Sequence, residues 1–154
     1  MGNRVAEIHD ALAKVADPLL RESLCCLLSH FHPEWGDRCP LDVFNRLIAK
    51  NFERAGPNKT GHANVHEERI ASRKEQWTTG NLGKLTRGHR GSGGVDIACP
   101  IVLVECGGRT IVLDGNHRIN RWVNSNDTRF HDVIIHRISE PVEFVEYTPD
   151  MHGD

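Results

Sequence analysis

The stretch that decides the fold runs from Ile101-Val102-Leu103-Val104, through Gly107-Gly108, to Thr110-Ile111-Val112-Leu113, and on to Asp114-Gly115-Asn116-His117-Arg118. Two β-branched runs of four around a glycine pair predict a hairpin whose turn needs positive φ. Asp114-Gly115 ends the second run. Beyond it Ile119, Trp122 and Val123 give one apolar stripe at helical spacing, so a short helix follows the hairpin directly. Val133-Ile134-Ile135 and the segment from Val142 to Tyr147 predict two further strands. The last third is therefore a small mixed sheet with one helix inserted.

Working towards the N-terminus, the pattern turns helical. Val5, Ile8, Leu12 and Val15 follow Asn3, a candidate N-cap. Asp17-Pro18 restarts the chain as a cap with proline in the first helical position. Leu19, Leu20, Leu24, Leu27, Leu28 and Phe31 form the broad face of that helix, and the loop His32-Pro33-Glu34-Trp35-Gly36-Asp37 is expected to break it. Leu41, Phe44, Leu47 and Ile48 mark a third helix, stopped by Gly56-Pro57. Asn64 with Glu67 resembles a capping box, which predicts a polar helix to about Trp77. From Thr78 to Gly94 the chain is rich in Gly, Thr, Arg and Lys without hydrophobic period, and reads as a long basic loop.

The expected class is α+β: a helical N-terminal third, then a small mixed β-sheet with an inserted helix. With 154 residues the chain suits one domain. Its expected parts are 1–56, helical; 57–94, the polar helix and basic Gly-rich loop; 95–148, the β-rich core; and 149–154, an acidic tail.

Composition removes several classes. Charged residues at 26% and hydrophobic residues at 38% fit a globular chain. No apolar run approaches the ~18 residues of a membrane span. The opening MGNRVAEIHD lacks a signal peptide's apolar core, so a cytoplasmic protein without membrane contact is expected. Five cysteines without a C-x-x-C pair argue against a disulfide framework or a zinc site, with Cys25 expected as a buried small hydrophobe. The net charge of −2 conceals an uneven spread: 51–90 carries eight Lys or Arg against four Asp or Glu, while 139–154 carries five acids and no Lys or Arg. A basic segment of this size fits either a DNA contact, through residues 84–90, or plain solvated surface.

The chemistry concentrates at Asp114–Arg118. Glycine permits a tight turn, the first helical N–H groups lack intrahelical partners, and the helix dipole adds partial positive charge. His117 and Arg118 contribute side-chain donors, and Arg118 could grip a phosphate in bidentate fashion. Arg121, one turn on, could extend the basic face. The opposing reading is an ordinary capped turn with solvated His and Arg.

Asp114-Gly115-Asn116-His117-Arg118, set between strand and helix, resembles the phosphate-binding signature of the ParB/sulfiredoxin superfamily. The resemblance covers roughly residues 95–147. That group includes partition proteins, sulfiredoxins, ADP-dependent free-serine kinases and ParB-like nucleases. It implies that Gly115, Asn116, His117 and Arg118 hold the phosphates of a nucleotide, ATP or ADP or else CTP. It implies that Asp114 caps the helix or helps place Mg2+. Sulfiredoxin chemistry is set aside, because the nucleophilic cysteine of those proteins aligns with Asn116.

Other features are less pointed. Gly88, Gly91, Gly93 and Gly94, interleaved with Arg87, His89, Arg90 and Ser92, could wrap a phosphate or serve as linker. Gly83-Lys84 lacks the Ser or Thr of a Walker A loop. His62 and His66 lack zincin order and read as a surface pair. Glu68, with Glu67 beside it, is a candidate general base or magnesium ligand, against the plain alternative of acids answering a helix dipole. The expected function is a nucleotide- or phosphate-binding enzyme: kinase, NTPase or nuclease. The alternative is a non-catalytic nucleotide- or DNA-binding regulator, or an interaction module from a mobile element with a protein partner on its N-terminal helices. The absence of a helix-turn-helix signature after Arg118 and the acidic C-terminus count against a partition role.

Overall fold

The computed structural model describes residues 9–35, 40–51, 62–86, 99–139 and 144–145. A helical turn at 9–13 precedes α1 (Pro18–Trp35) and α2 (Pro40–Asn51). Then come β1 (His62–Ala63), a 3-10 turn (Glu67–Arg69), β2 (Ile70–Thr78) and α3 (Thr79–Leu85). The last part comprises β3 (Ile101–Cys106), β4 (Arg109–Asp114), α4 (Asn116–Asn124), β5 (Phe130–Ile138) and β6 (Phe144–Val145). The architecture is α+β: N-terminal helices, then a four-stranded mixed sheet with inserted helices.

The sheet order is β2-β5-β3-β4, with β3 and β5 parallel and the other pairs antiparallel. Gly107 and Gly108, at φ 60° and 75°, make the tight β3–β4 turn that their sequence predicts. β1 and β6 form a separate two-stranded ladder. Side chains alternate across the central strands into two cores. Val102, Val104, Ile111 and Leu113 face Leu20, Leu24, Leu27, Phe44 and Ile48 of α1 and α2. Ile101, Leu103, Val112, Val133 and Ile135 face Leu82 of α3 and Ile119 of α4. Burial on both faces explains why these strands read as unbroken apolar runs.

The start of α1 follows its sequence signal. Asp17 Oδ1 accepts from the N–H groups of Leu19 at 2.9 Å and Leu20 at 3.4 Å, ahead of Pro18 in the first turn. Four expectations are overturned. First, α1 continues through His32 and Pro33 to Trp35 instead of breaking. Second, the polar helix expected from Asn64 to Trp77 is a 3-10 turn followed by a nine-residue strand. β2 is an edge strand with no fully buried residue, so it carries no apolar alternation to read. Its conformation comes from pairing along its whole length with β5, a tertiary effect that overrides the local pattern.

Third, the expected loop from Thr78 to Gly94 begins with α3. Thr78 Oγ1 accepts from the Asn81 N–H at 3.2 Å and caps it. Gly80 and Gly83 lower its intrinsic helicity, but Leu82 is fully buried and Gly83 lets Val123 of α4 approach closely. The Gly88–Gly94 run lies outside the described residues. Fourth, Cys26 and Cys99 form a disulfide, 73 residues apart in sequence with Cα atoms 6.3 Å apart. The cysteine count and spacing could not show it, because the fold brings α1 beside the entry to β3. Cys25 is exposed, not buried: Cys26, one position on, takes the inward-facing place. No helix among the described residues is long and apolar enough to cross a membrane.

Candidate functional site

β4 delivers the chain to α4 through Gly115, at φ 122° and ψ 6°. This is a backbone region that side-chain-bearing residues rarely enter. A Cβ at this position would also collide with Ile101 Cδ1 on β3. Glycine is thus required by the turn, and the close Ile101 methyl adds to the cost of a larger residue. Gly115 is itself the N-cap, and its carbonyl accepts from Ile119 N at 2.9 Å. The Asp114 carboxylate Oδ2 lies 3.5 Å from Arg118 Nη2.

Arg118 is only 5% exposed. Its Nη1 donates to the Cys99 carbonyl, and its Nη2 reaches the Pro100 carbonyl at 3.5 Å. The guanidinium thus straps the entry of β3 to the first turn of α4. His117 points outward and is exposed, Asn116 is half-buried, and Arg121 is half-buried on the next turn. The turn therefore presents His117 to solvent and holds Arg118 inward.

Beside Arg118 lies a cleft of about 520 Å3. It is lined by Cys99, Pro100, Arg118 and Trp122, by Lys74 and Gln76 of β2, by Phe130, His131 and Asp132 of β5, and by Glu22 of α1. Lys74 is exposed, and Phe130 is 65% exposed. Trp122 stacks on the His131 ring at 3.7 Å and 6° between planes. His131 Nε2 sits 2.9 Å from Thr79 Oγ1 and 3.5 Å from Asp127 Oδ1. Burial lowers the His131 pKa below the usual imidazole range, partly opposed by the neighbouring Asp127 carboxylate.

Glu68 is not brought to this cleft. It lies on the 3-10 turn before β2, whose first residue Ile70 pairs with Ile138 at the far end of β5. The cleft's β2 residues, Lys74 and Gln76, are four and six positions further on, roughly 13–20 Å of extended strand. Glu67 instead accepts from the Ala16 N–H at 3.2 Å. Among the described residues no three His, Cys, Asp or Glu side chains gather as a metal site. Asp114, the expected magnesium ligand, is a nearly buried carboxylate facing a guanidinium. This donor set does not fit a protein-held Mg2+.

His66 is exposed; the side chain of His62, like residues 87–90 of the expected DNA-contacting segment, lies outside what is described. The apolar faces of α1 and α2 pack on the sheet, so a partner on these helices would meet their outer faces. Sequence reading missed Lys74, His131 and Asp132. Two of them belong to a strand whose polar end carries no motif, and Lys74 sits where a helix was expected. Trp122 had one legible signal, its place four residues after Arg118 on the same helical face. Comparison with family models, with curated proteins and with solved structures finds no match for the chain.

Proposed function

We propose that this domain binds a nucleotide, with its phosphates at the β4–α4 turn and its base in the adjoining cleft, and acts on it by phosphoryl transfer or hydrolysis. One observation carries the reading: Arg118, in the first turn of α4 behind Gly115, lines a cleft together with Lys74, Trp122 and Phe130. Cationic groups near the dipole of a helix start favour phosphate oxygens, and flat rings suit a base. The resemblance of Asp114–Arg118 to the ParB/sulfiredoxin signature supports the same ligand. His117 and Lys74 are the groups that reach outward to the phosphates. Arg118 keeps the turn in place and lends its charge. Asp114 holds Arg118, and any magnesium arrives with the nucleotide. A nucleotide ligand favours the cytoplasm, whereas the Cys26–Cys99 disulfide is of a kind rare in that reducing compartment.

The test is equilibrium binding of ATP, ADP, CTP, GTP and a short DNA, each with and without magnesium, to wild type, His117→Ala and Lys74→Ala. Both substitutions remove exposed groups and should leave the fold intact. Nucleotide affinity should fall about tenfold in each variant, the scale of one charge-assisted contact. Binding of DNA alone would favour a regulator or nuclease. Binding of nothing, or affinity untouched by either variant, would reduce the motif to a capped turn.

A further inference from the structure

We propose that His131 is the proton acceptor of this cleft, taking a proton on Nδ1 from the attacking water while Thr79 and Asp127 hold Nε2. The inference rests on the nucleotide reading above and adds to it the group that activates the nucleophile. Both polar contacts of the ring fall on Nε2, at 2.9 Å from Thr79 Oγ1 and 3.5 Å from Asp127 Oδ1. A carboxylate on that side favours the tautomer with the proton on Nε2, which leaves the Nδ1 lone pair as the ring's acceptor. His131 lines the cleft together with Arg118 and Lys74, the two cations proposed to meet the phosphates where the cleft adjoins the β4–α4 turn.

The ring is also held in orientation. Trp122 stacks on it in parallel at 3.7 Å, and Trp122 stands one helical turn after Arg118. One face of α4 thus sets both the guanidinium and the imidazole. Packing alone would need only a flat ring; a carboxylate and a hydroxyl on one nitrogen are what an acid–base imidazole requires to keep its tautomer. The charged groups around the ring are Asp127 and Arg129 of the turn before β5, Asp132 of β5, Lys74 of β2, Arg118 of α4 and Glu22 of α1. Burial favours the neutral ring, the form able to accept a proton, and the Asp127 carboxylate partly restores its basicity.

With a nucleoside triphosphate bound, water oxygen attacks the terminal phosphorus and its proton passes to Nδ1. The bond from phosphorus to the bridging oxygen breaks, and the diphosphate keeps the electron pair. The imidazolium, stabilised by Asp127, then returns its proton to solvent. The products are the nucleoside diphosphate and inorganic phosphate.

The experiment follows ATP binding at equilibrium and phosphate release in single turnover, from acid to neutral pH, for the full chain as wild type, His131→Gln and Asp127→Asn. His131→Gln should lose at least about 100-fold in rate while ATP affinity stays within about threefold. Wild type should lose activity on an acidic limb as His131 protonates. Because the Asp127 carboxylate raises the His131 pKa, Asp127→Asn should move that limb to lower pH. A merely structural histidine would not shift the limb. Turnover by His131→Gln at the wild-type rate, or an unmoved limb in Asp127→Asn, overturns the assignment. ATP binding without turnover by wild type overturns it too, but leaves nucleotide binding standing; no ATP binding by wild type overturns both. If His131→Gln fails to fold, the limb in Asp127→Asn decides.

Discussion

The Arg118 guanidinium donates to the carbonyl oxygen of Cys99, the residue whose sulfur is bonded to Cys26 of α1. Two constraints of different chemistry therefore meet on one residue at the entry to β3. The arginine ties that entry to α4 on one face of the sheet, and the disulfide ties it to α1 on the other. The guanidinium is thereby kept in place at the cleft by the fold, before any ligand arrives.

Removing the disulfide should destabilise the domain measurably. It closes a long loop, its cysteines 73 positions apart, and loops of this kind lose about 2–4 kcal/mol of stability when opened. Thermal unfolding of wild type with and without reductant, and of Cys26→Ser, should show Tm lower by several degrees in the reduced and mutated forms. Equal Tm values in all three would mean the link contributes nothing to the folded state.

Gly115 and Gly108 separate two costs of replacing glycine. Both have positive φ, 122° and 75°, but a Cβ at 108 meets nothing within 4 Å, whereas one at 115 runs into Ile101 Cδ1. Gly108→Ala should cost about 1–2 kcal/mol, the backbone penalty alone. Gly115→Ala should cost about 2–4 kcal/mol, because φ 122° lies well outside the left-handed well that alanine can enter and the Ile101 Cδ1 methyl must also shift. Urea denaturation of the two variants checks the order, and equal losses would remove the steric part of the argument.

What the sequence made legible follows from where the information lies. The β3–β4 hairpin and the α4 helix carry local signals: β-branched runs, a Gly-Gly turn, a glycine before an apolar stripe. Those were readable, as was Asp17-Pro18 at the start of α1. β2 was not, because Ser72-Arg73-Lys74-Glu75-Gln76 on an edge strand is polar on both faces, and its strand character comes from β5. Lys74 stayed hidden for the same reason, and His131 and Asp132 because the polar start of β5 carries no motif. The role of Arg118 was half legible. Its charge at a helix start is visible in one dimension, but the Cys99 and Pro100 carbonyls that receive it become neighbours only in the folded chain.

Asn45 of α2 should prove costly to replace, although it lies far from the cleft in the fold. Its buried side-chain amide donates to the Val65 carbonyl and accepts from the Val65 N–H, both at 3.1 Å, as a neighbouring strand would. Truncation leaves two buried backbone groups without these partners. Asn45→Ala should lose about 2–4 kcal/mol, and Asn45→Leu should recover little of it despite its added apolar volume. Denaturation midpoints compare the two, and a leucine variant as stable as wild type would show that water reaches Val65.

His136 should make stability depend on pH in a defined window. Its ring is fully buried, with Nδ1 2.6 Å from Ser72 Oγ and Nε2 2.7 Å from Ser23 Oγ, and burial pushes its pKa down to about 4. An unfolded-state imidazole near 6.5 binds its proton first as pH falls, so acid favours the unfolded chain. The contribution is fully present above pH 6.5 and is lost progressively towards pH 4, in total about 3 kcal/mol. Asp127, whose pKa its Arg129 partner lowers to about 2, acts in the same direction but only below the ordinary aspartate value of 3.8, outside that window. Chemical denaturation at half-unit steps from pH 4 to 7.5 should therefore show stability rising with pH up to about 6.5 and then levelling. His136→Gln, less stable throughout, should give a flatter profile over the same steps. An unchanged slope in that variant would assign the acid sensitivity to other groups, with the partly buried His131 the first to examine.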